Sequence, residues 1–191
     1  MNNHIVLAIF WVVYYAFHSA LATRRAKRIL GNTSVIVHAN YRLLYSIFAA
    51  VNFALLFRFQ GLLSSPQLFA PKTVVNVGAL FLGLVGALVS IGAIRQYPLR
   101  FWFKEAEIGE GHLVVRGLNR YMRHPIYSGF IFLTIAFFLW QPYLKHFLFL
   151  IITMIYVLVS IRWEEMKLLE EYGDAYQAYR RRVKALIPYV F

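Results

Sequence analysis

Val74-Val75-Asn76-Val77-Gly78-Ala79-Leu80-Phe81-Leu82-Gly83-Leu84-Val85-Gly86-Ala87-Leu88-Val89-Ser90-Ile91-Gly92-Ala93-Ile94 runs for 21 residues without a charge. At 1.5 Å per residue such a helix is about 31 Å long, enough to cross a hydrocarbon layer of roughly 30 Å. Two further runs are also long enough to span. Ile5 to Ala22 is one, and Tyr41 to Phe59, with Arg42 and Arg58 near its ends, is the other. The apolar stretch Ile126 to Ile161 is broken by Gln141-Pro142-Tyr143, and each half is short for a full crossing, so it reads as a tight helical hairpin. The expected fold is all-α and multi-pass, with about five transmembrane helices, the last two forming the hairpin.

Composition agrees. The chain is 60% hydrophobic, lacks cysteine and carries only eight acidic residues in 191. Its apolar runs exceed what a small soluble core can bury. Without cysteine there are no disulfides, thiolate metal sites or cysteine nucleophiles. The net charge of +12 sits in short loops between apolar runs, which points to an anionic membrane surface and away from nucleic acid. No small-residue cleavage site follows the first apolar segment; Thr23-Arg24-Arg25-Ala26-Lys27-Arg28 does, so this helix is expected to stay.

Lys and Arg are distributed unevenly. Segments 23–40, 95–125 and 162–191 hold four, six and six, whereas Arg58, Lys72 and Lys145 mark the opposite side. Five crossings with the N-terminus outside and the C-terminus cytoplasmic satisfy that bias, and all eight acidic residues then fall on the cytoplasmic side. No repeat, low-complexity tract or linker divides the chain. It reads as a single domain, 1–191, with three helices in 1–95 and the hairpin and tail in 96–191.

After the last span the helix is expected to continue to about Glu171 and stop at Gly173. Asp174 with Gln177 three residues on is a capping-box pattern, and Tyr172, Tyr176 and Tyr179 then share one face of a cytoplasmic C-terminal helix. Arg123-His124-Pro125 stands where proline suits the first turn of a helix and free N–H groups can receive an anion. Tyr127 and Gly129 line the same mouth, and His124 is a candidate general base. Glu164 and Glu165 at a membrane boundary need cations, such as Arg162, Arg123 or a bound ammonium group. A solvated face is the ordinary reading of a Glu-Glu pair; the downstream spacing favours a functional Glu165 over Glu164. For His18 the ordinary reading is a hydrogen-bonded structural histidine, the sharper one a haem or metal ligand. His4, His38, His112 and His146 show no metal-ligand spacing, and no metal is expected. Gly78, Gly83, Gly86 and Gly92 permit close helix packing, and no Rossmann-type glycine loop exists.

Gly117-Leu118-Asn119-Arg120-Tyr121, Arg123-His124-Pro125-Ile126-Tyr127-Ser128-Gly129, Arg162, Glu164-Glu165, Tyr172-Gly173, Tyr176, Tyr179 and Ile187-Pro188, in that order, resemble the isoprenylcysteine carboxyl methyltransferase family. The resemblance covers about 80 C-terminal residues. It implies S-adenosylmethionine as cofactor and methyl transfer to a carboxylate or thiol of a lipophilic or prenylated substrate at the cytoplasmic face, with residues 96–191 the cofactor-binding and catalytic half. Among site residues it implies Glu165, His124 and Arg123 for catalysis, and His124, Pro125, Tyr127, Gly129, Arg162, Glu165, Tyr176, Tyr179 and Arg180 around the cofactor. Phe17-His18-Ser19-Ala20-Leu21-Ala22 with Tyr41-Arg42-Leu43-Leu44-Tyr45 is closer to bacterial thiol methyltransferases and carotene-isomerase-like membrane proteins, so the acceptor stays open and a bacterial inner membrane is the expected location. Two other readings remain: a membrane sterol-type reductase using NADPH, which ends in a comparable Arg-rich, Tyr-x-x-Tyr, Ile-Pro tail, and a haem-binding isomerase.

Overall fold

A computed structural model describes residues 3–31, 35–96, 113 and 115–190. Glu105, Glu107, Glu110 and His112 lie outside them, as does the side chain of His38. The described residues are helical apart from connections and isolated bridges: α1 Asn3–Leu21, α2 Arg24–Gly31, α3 Val35–Leu62, α4 Thr73–Arg95, a 3₁₀ turn Gly117–Arg120, α5 Pro125–Trp140 and α6 Leu144–Arg182. Four helices are long and apolar enough to cross a membrane, namely Asn3–Leu21, Asn40–Leu62, Thr73–Arg95 and Leu144–Arg182, and α5 is a shorter fifth. The protein is a multi-pass, all-α membrane protein.

The chain forms two compact units, α1 to α3 and the described residues from 67 onward. In the first, α1 and α3 run antiparallel. Trp11 Nε1 donates to Gln60 Oε1 at 2.7 Å with both side chains buried, and the Tyr41 hydroxyl donates to the Leu21 carbonyl at 2.8 Å. Such bonds matter where no water can replace them. His18 lies against Tyr45, whose hydroxyl is 2.9 Å from Nδ1. Thr23 turns the chain into α2, its hydroxyl accepting from the Ala26 N–H at 3.1 Å as an N-cap does.

In the second unit α4 and α5 pack closely because small residues face each other. A Cβ on Gly129 would stand 2.2 Å from Ser90 Oγ and 2.9 Å from the Gly86 carbonyl oxygen, and one on Gly86 would meet the Gly129 carbonyl at 2.9 Å. Gly83 meets Ala136, whereas a Cβ on Gly78 would meet nothing within 4 Å among the described residues. Gly129→Ala should therefore lower thermal stability by about 1–3 kcal/mol, the usual cost of overpacking. Gly78→Ala should be neutral within about 0.5 kcal/mol, as a change in open space is. Thermal unfolding of both in the same detergent checks the pair.

Gln141, Pro142 and Tyr143 make the hairpin turn, where His146 Nδ1 lies 2.8 Å from the Gln141 carbonyl and the His146 ring packs on Phe137 at 4.4 Å. Helix α6 has 39 residues, far more than a crossing requires. Its long apolar stretch ends at Ile161, and charged residues are frequent from Arg162 onward. At Gly173 the backbone leaves helical geometry (φ 51°, ψ −125°), a left-handed conformation that glycine adopts without strain. That break separates Tyr172 from Tyr176, so the single tyrosine face expected from spacing is reduced to the buried Tyr176 and Tyr179, with Tyr172 half-exposed on the upstream limb.

Beyond α6 the chain returns along the residues preceding α5. The Arg123 N–H donates to the Lys184 carbonyl at 2.8 Å, the His124 N–H to Ala185 at 3.0 Å, and the Ser128 hydroxyl to Leu186 at 2.7 Å. Ala185 and Leu186 thereby join Ile131, Val157 and Ile161 in the core.

Candidate active site

Three structural facts assemble the site. Pro125 opens α5 with His124 as its N-cap residue, the hairpin brings α6 back alongside, and Glu165 sits one turn past Ile161, where the long apolar stretch of α6 ends. The return strand then fixes the backbone of Arg123 and His124, so both side chains project from a held segment.

Their partner is Glu165. Arg123 donates through Nε to Glu165 Oε1 at 2.8 Å and through Nη2 to the same oxygen. His124 Nε2 lies 3.3 Å from that oxygen, and Arg180 Nε lies 3.3 Å from Oε2. Arg123 Nη1 donates in addition to the carbonyls of Val183 and Arg180, the latter at 3.3 Å. One carboxylate thus ties together the start of α5, the middle of α6 and the limb beyond Gly173. Burial alone would raise the Glu165 carboxyl. Hydrogen bonds from His124 and Arg123, with the charge of both, overcome that and hold it down at about 2. Glu165 is a permanent anion at neutral pH and a poor proton acceptor there.

His124 is buried between two carboxylates. Its Nδ1 faces Glu164 Oε2 at 3.6 Å, and Glu164 is 46% exposed. The ring stacks on Tyr127 with centroids 5.7 Å apart. Sequence reasoning left Glu164 on a solvated face. Two adjacent helical positions diverge by about 100°, and only the position of His124 between them brings both within reach.

The remaining expected residues divide. The N–H groups of Arg123 and His124, which precede the helix, donate to the returning segment, and the Arg123 guanidinium is occupied by Glu165 and two carbonyls. Gly129 makes its close approach to α4, at Gly86 and Ser90. Arg162 is exposed and has no ion pair among the described residues. Tyr179 donates to the Asn119 carbonyl at 2.7 Å, anchoring the 3₁₀ turn. Tyr176 lies edge-on to Tyr179 at 6.0 Å and is 1% exposed. Burial, followed by the negative charge of Glu165, pushes its phenol above the usual range.

Gln96, which no motif marked, and the Gly117-to-Tyr121 element complete the surroundings. Leu118 N–H donates to Gln96 Oε1 at 2.9 Å, and Gly117, at φ 56°, makes room for that carboxamide, since a Cβ there would stand 2.2 Å from Oε1. Three buried polar atoms on these elements have no hydrogen-bond partner among the described residues: the Tyr176 hydroxyl, Asn119 Oδ1 and Gln96 Nε2. An orphaned buried group costs about 1–3 kcal/mol, so these atoms are candidates for partners that the described residues do not supply. Among the described residues no cluster of His, Asp and Glu offers a metal site.

The comparisons agree on chemistry. A family model described as phospholipid methyltransferase matches residues 74–175. Methanethiol S-methyltransferase of Crocosphaera subtropica is 33% identical over 117 residues, covering 57% of this chain and 44% of that protein. The Mycobacterium tuberculosis protein of the same name is 36% identical over 134 residues, covering 62% and 51%. Methanethiol S-methyltransferase 1 of Bradyrhizobium diazoefficiens reaches 44% over 75 residues, covering 38% and 25%. The chain spans about half, or less, of the length of these curated relatives.

Proposed function

The chain belongs to the phospholipid methyltransferase family, and on that premise we propose that it is a membrane methyltransferase, moving a methyl group from S-adenosylmethionine to a thiol or carboxylate of an apolar acceptor. We place the reaction at the cytoplasmic face of a bacterial inner membrane, with the N-terminus outside, because the Lys and Arg bias puts the Arg123–His124–Glu165 cluster there. The observation that carries the reading is that cluster, a fixed anion beside buried polar groups lacking partners. A cationic donor bearing a nucleoside suits both features: Glu165 and the exposed Glu164 complement its positive charge, and Tyr176, Asn119 and Gln96 offer unspent donors and acceptors.

Bound there, S-adenosylmethionine would supply an electrophilic methyl carbon whose leaving group departs as a neutral thioether. The rest falls to the chain. Alignment of donor and acceptor is the main requirement of an in-line displacement and is worth up to roughly 7–11 kcal/mol. The segment 123–128, tied to residues 184–186, supplies the rigidity this needs. A thiol must lose its proton as it attacks, whereas a carboxylate arrives charged. His124 is the proton acceptor for a thiol, and the exposed Glu164 beside Nδ1 passes the proton to water. The relatives' names favour a thiol, of which methanethiol is the simplest.

Calorimetry of the purified protein in detergent is expected to show binding of S-adenosylmethionine and S-adenosylhomocysteine, and none of NADPH. Heat with NADPH alone would replace this reading by the reductase one.

A further inference from the structure

We propose that the unit formed by α1, α2 and α3 binds a single-chain fatty acid between α1 and α3. A cavity of about 450 Å³ lies there, within the size range of small-molecule sites. Its α1 wall extends from Phe10 to Leu21, eleven residue steps or about 16 Å. A slot of that length and volume has room for an extended hydrocarbon chain lying along α1.

The two ends differ. At one, the Phe10 and Phe59 rings stand 5.7 Å apart and close the slot with apolar surface. At the other the polar groups gather: the Tyr45 hydroxyl lies 2.9 Å from His18 Nδ1, and Tyr14 stacks on His18 at 6.0 Å. Leu21 ends the wall on that side, and α2, with Arg25, Lys27 and Arg28, begins three residues later. An apolar tail seated toward Phe10 and Phe59 therefore puts its head beside a phenol–imidazole pair and a basic helix, where negative charge is favoured. The site lies wholly in this unit and stands independently of the methyl-transfer reading.

The test uses the full chain in nanodiscs of a zwitterionic phospholipid, with palmitate carrying a photoreactive diazirine at its chain end. Saturable one-to-one labelling is expected on α1 near Phe10 and on α3 near Phe59. Unlabelled palmitate should compete at least tenfold better than its methyl ester. Ala49→Trp, which fills the slot, should reduce labelling at least tenfold; if thermal unfolding shows that this variant does not fold, Val13→Phe from the opposite wall serves instead. Labelling spread over all helices, insensitivity to the filling variant, or equal labelling by a diazirine phospholipid would mean ordinary bilayer lipid and overturn the proposal. Equal competition by the methyl ester would overturn the anionic head.

Discussion

Glu165→Gln is expected to reduce S-adenosylmethionine binding or turnover by more than tenfold, at least about 1.4 kcal/mol, and to destabilise the fold by about 3 kcal/mol. The second figure follows from the loss of one partner in a buried ion pair. The two guanidinium nitrogens of Arg123 that face Glu165 would meet a neutral amide, and Arg180 would lose its counter-ion. Both effects come from one group, so ligand affinity has to be measured well below the variant's unfolding temperature. The pH dependence separates them further. Because the folded state holds Glu165 at about 2 against an ordinary 4.5, its contribution is fully present above 4.5 and is lost as the pH falls toward 2. Wild type should lose stability across that window, and Glu165→Gln should show a shallower fall. Equal slopes would mean that the ion cluster is not what holds the tail.

Much of the fold was legible because hydrocarbon imposes a length rule that composition exposes: uncharged runs as long as Val74 to Ile94 have few other uses. The hairpin was legible from Gln141-Pro142-Tyr143. The meeting of Arg123 and His124 with Glu165, some 41 residues away, followed from the hairpin returning the chain to the boundary it left, where unlike charges gain most by pairing. Non-local geometry was not legible. The pairing of residues 123 and 124 with 184 and 185 has no sequence period, since it is a short parallel contact between two irregular segments. Gly129 looked like a glycine at the mouth of a site, and only the register between α4 and α5 shows that Gly86 and Ser90 claim its missing side chain. Gln96 carries no motif at all, and Asn119 stands in the Gly117-to-Tyr121 element without a role of its own; their polar atoms stand out only once their surroundings among the described residues leave them unpaired.

His124→Ala is expected to lower turnover of a thiol acceptor by tenfold to a hundredfold or more at neutral pH, within the range usual for loss of a positioned proton acceptor. Glu164→Gln should cost less, because the exposed Glu164 receives the proton only after His124 and water can substitute for it. A structural role for His124 would also depress the rate, since its ring is stacked on Tyr127 and lies 3.3 Å from Glu165 Oε1. Two comparisons separate the readings. If His124 takes the thiol proton, raising the pH until the acceptor is itself ionised should restore much of the rate of His124→Ala, because an acceptor that arrives as thiolate needs no base. For the same reason a carboxylate acceptor should be nearly indifferent to the substitution. A rate loss that persists unchanged at high pH and with either acceptor would make His124 a support for Glu165 alone, and a Glu164→Gln effect larger than that of Glu165→Gln would reverse the roles given to the two carboxylates.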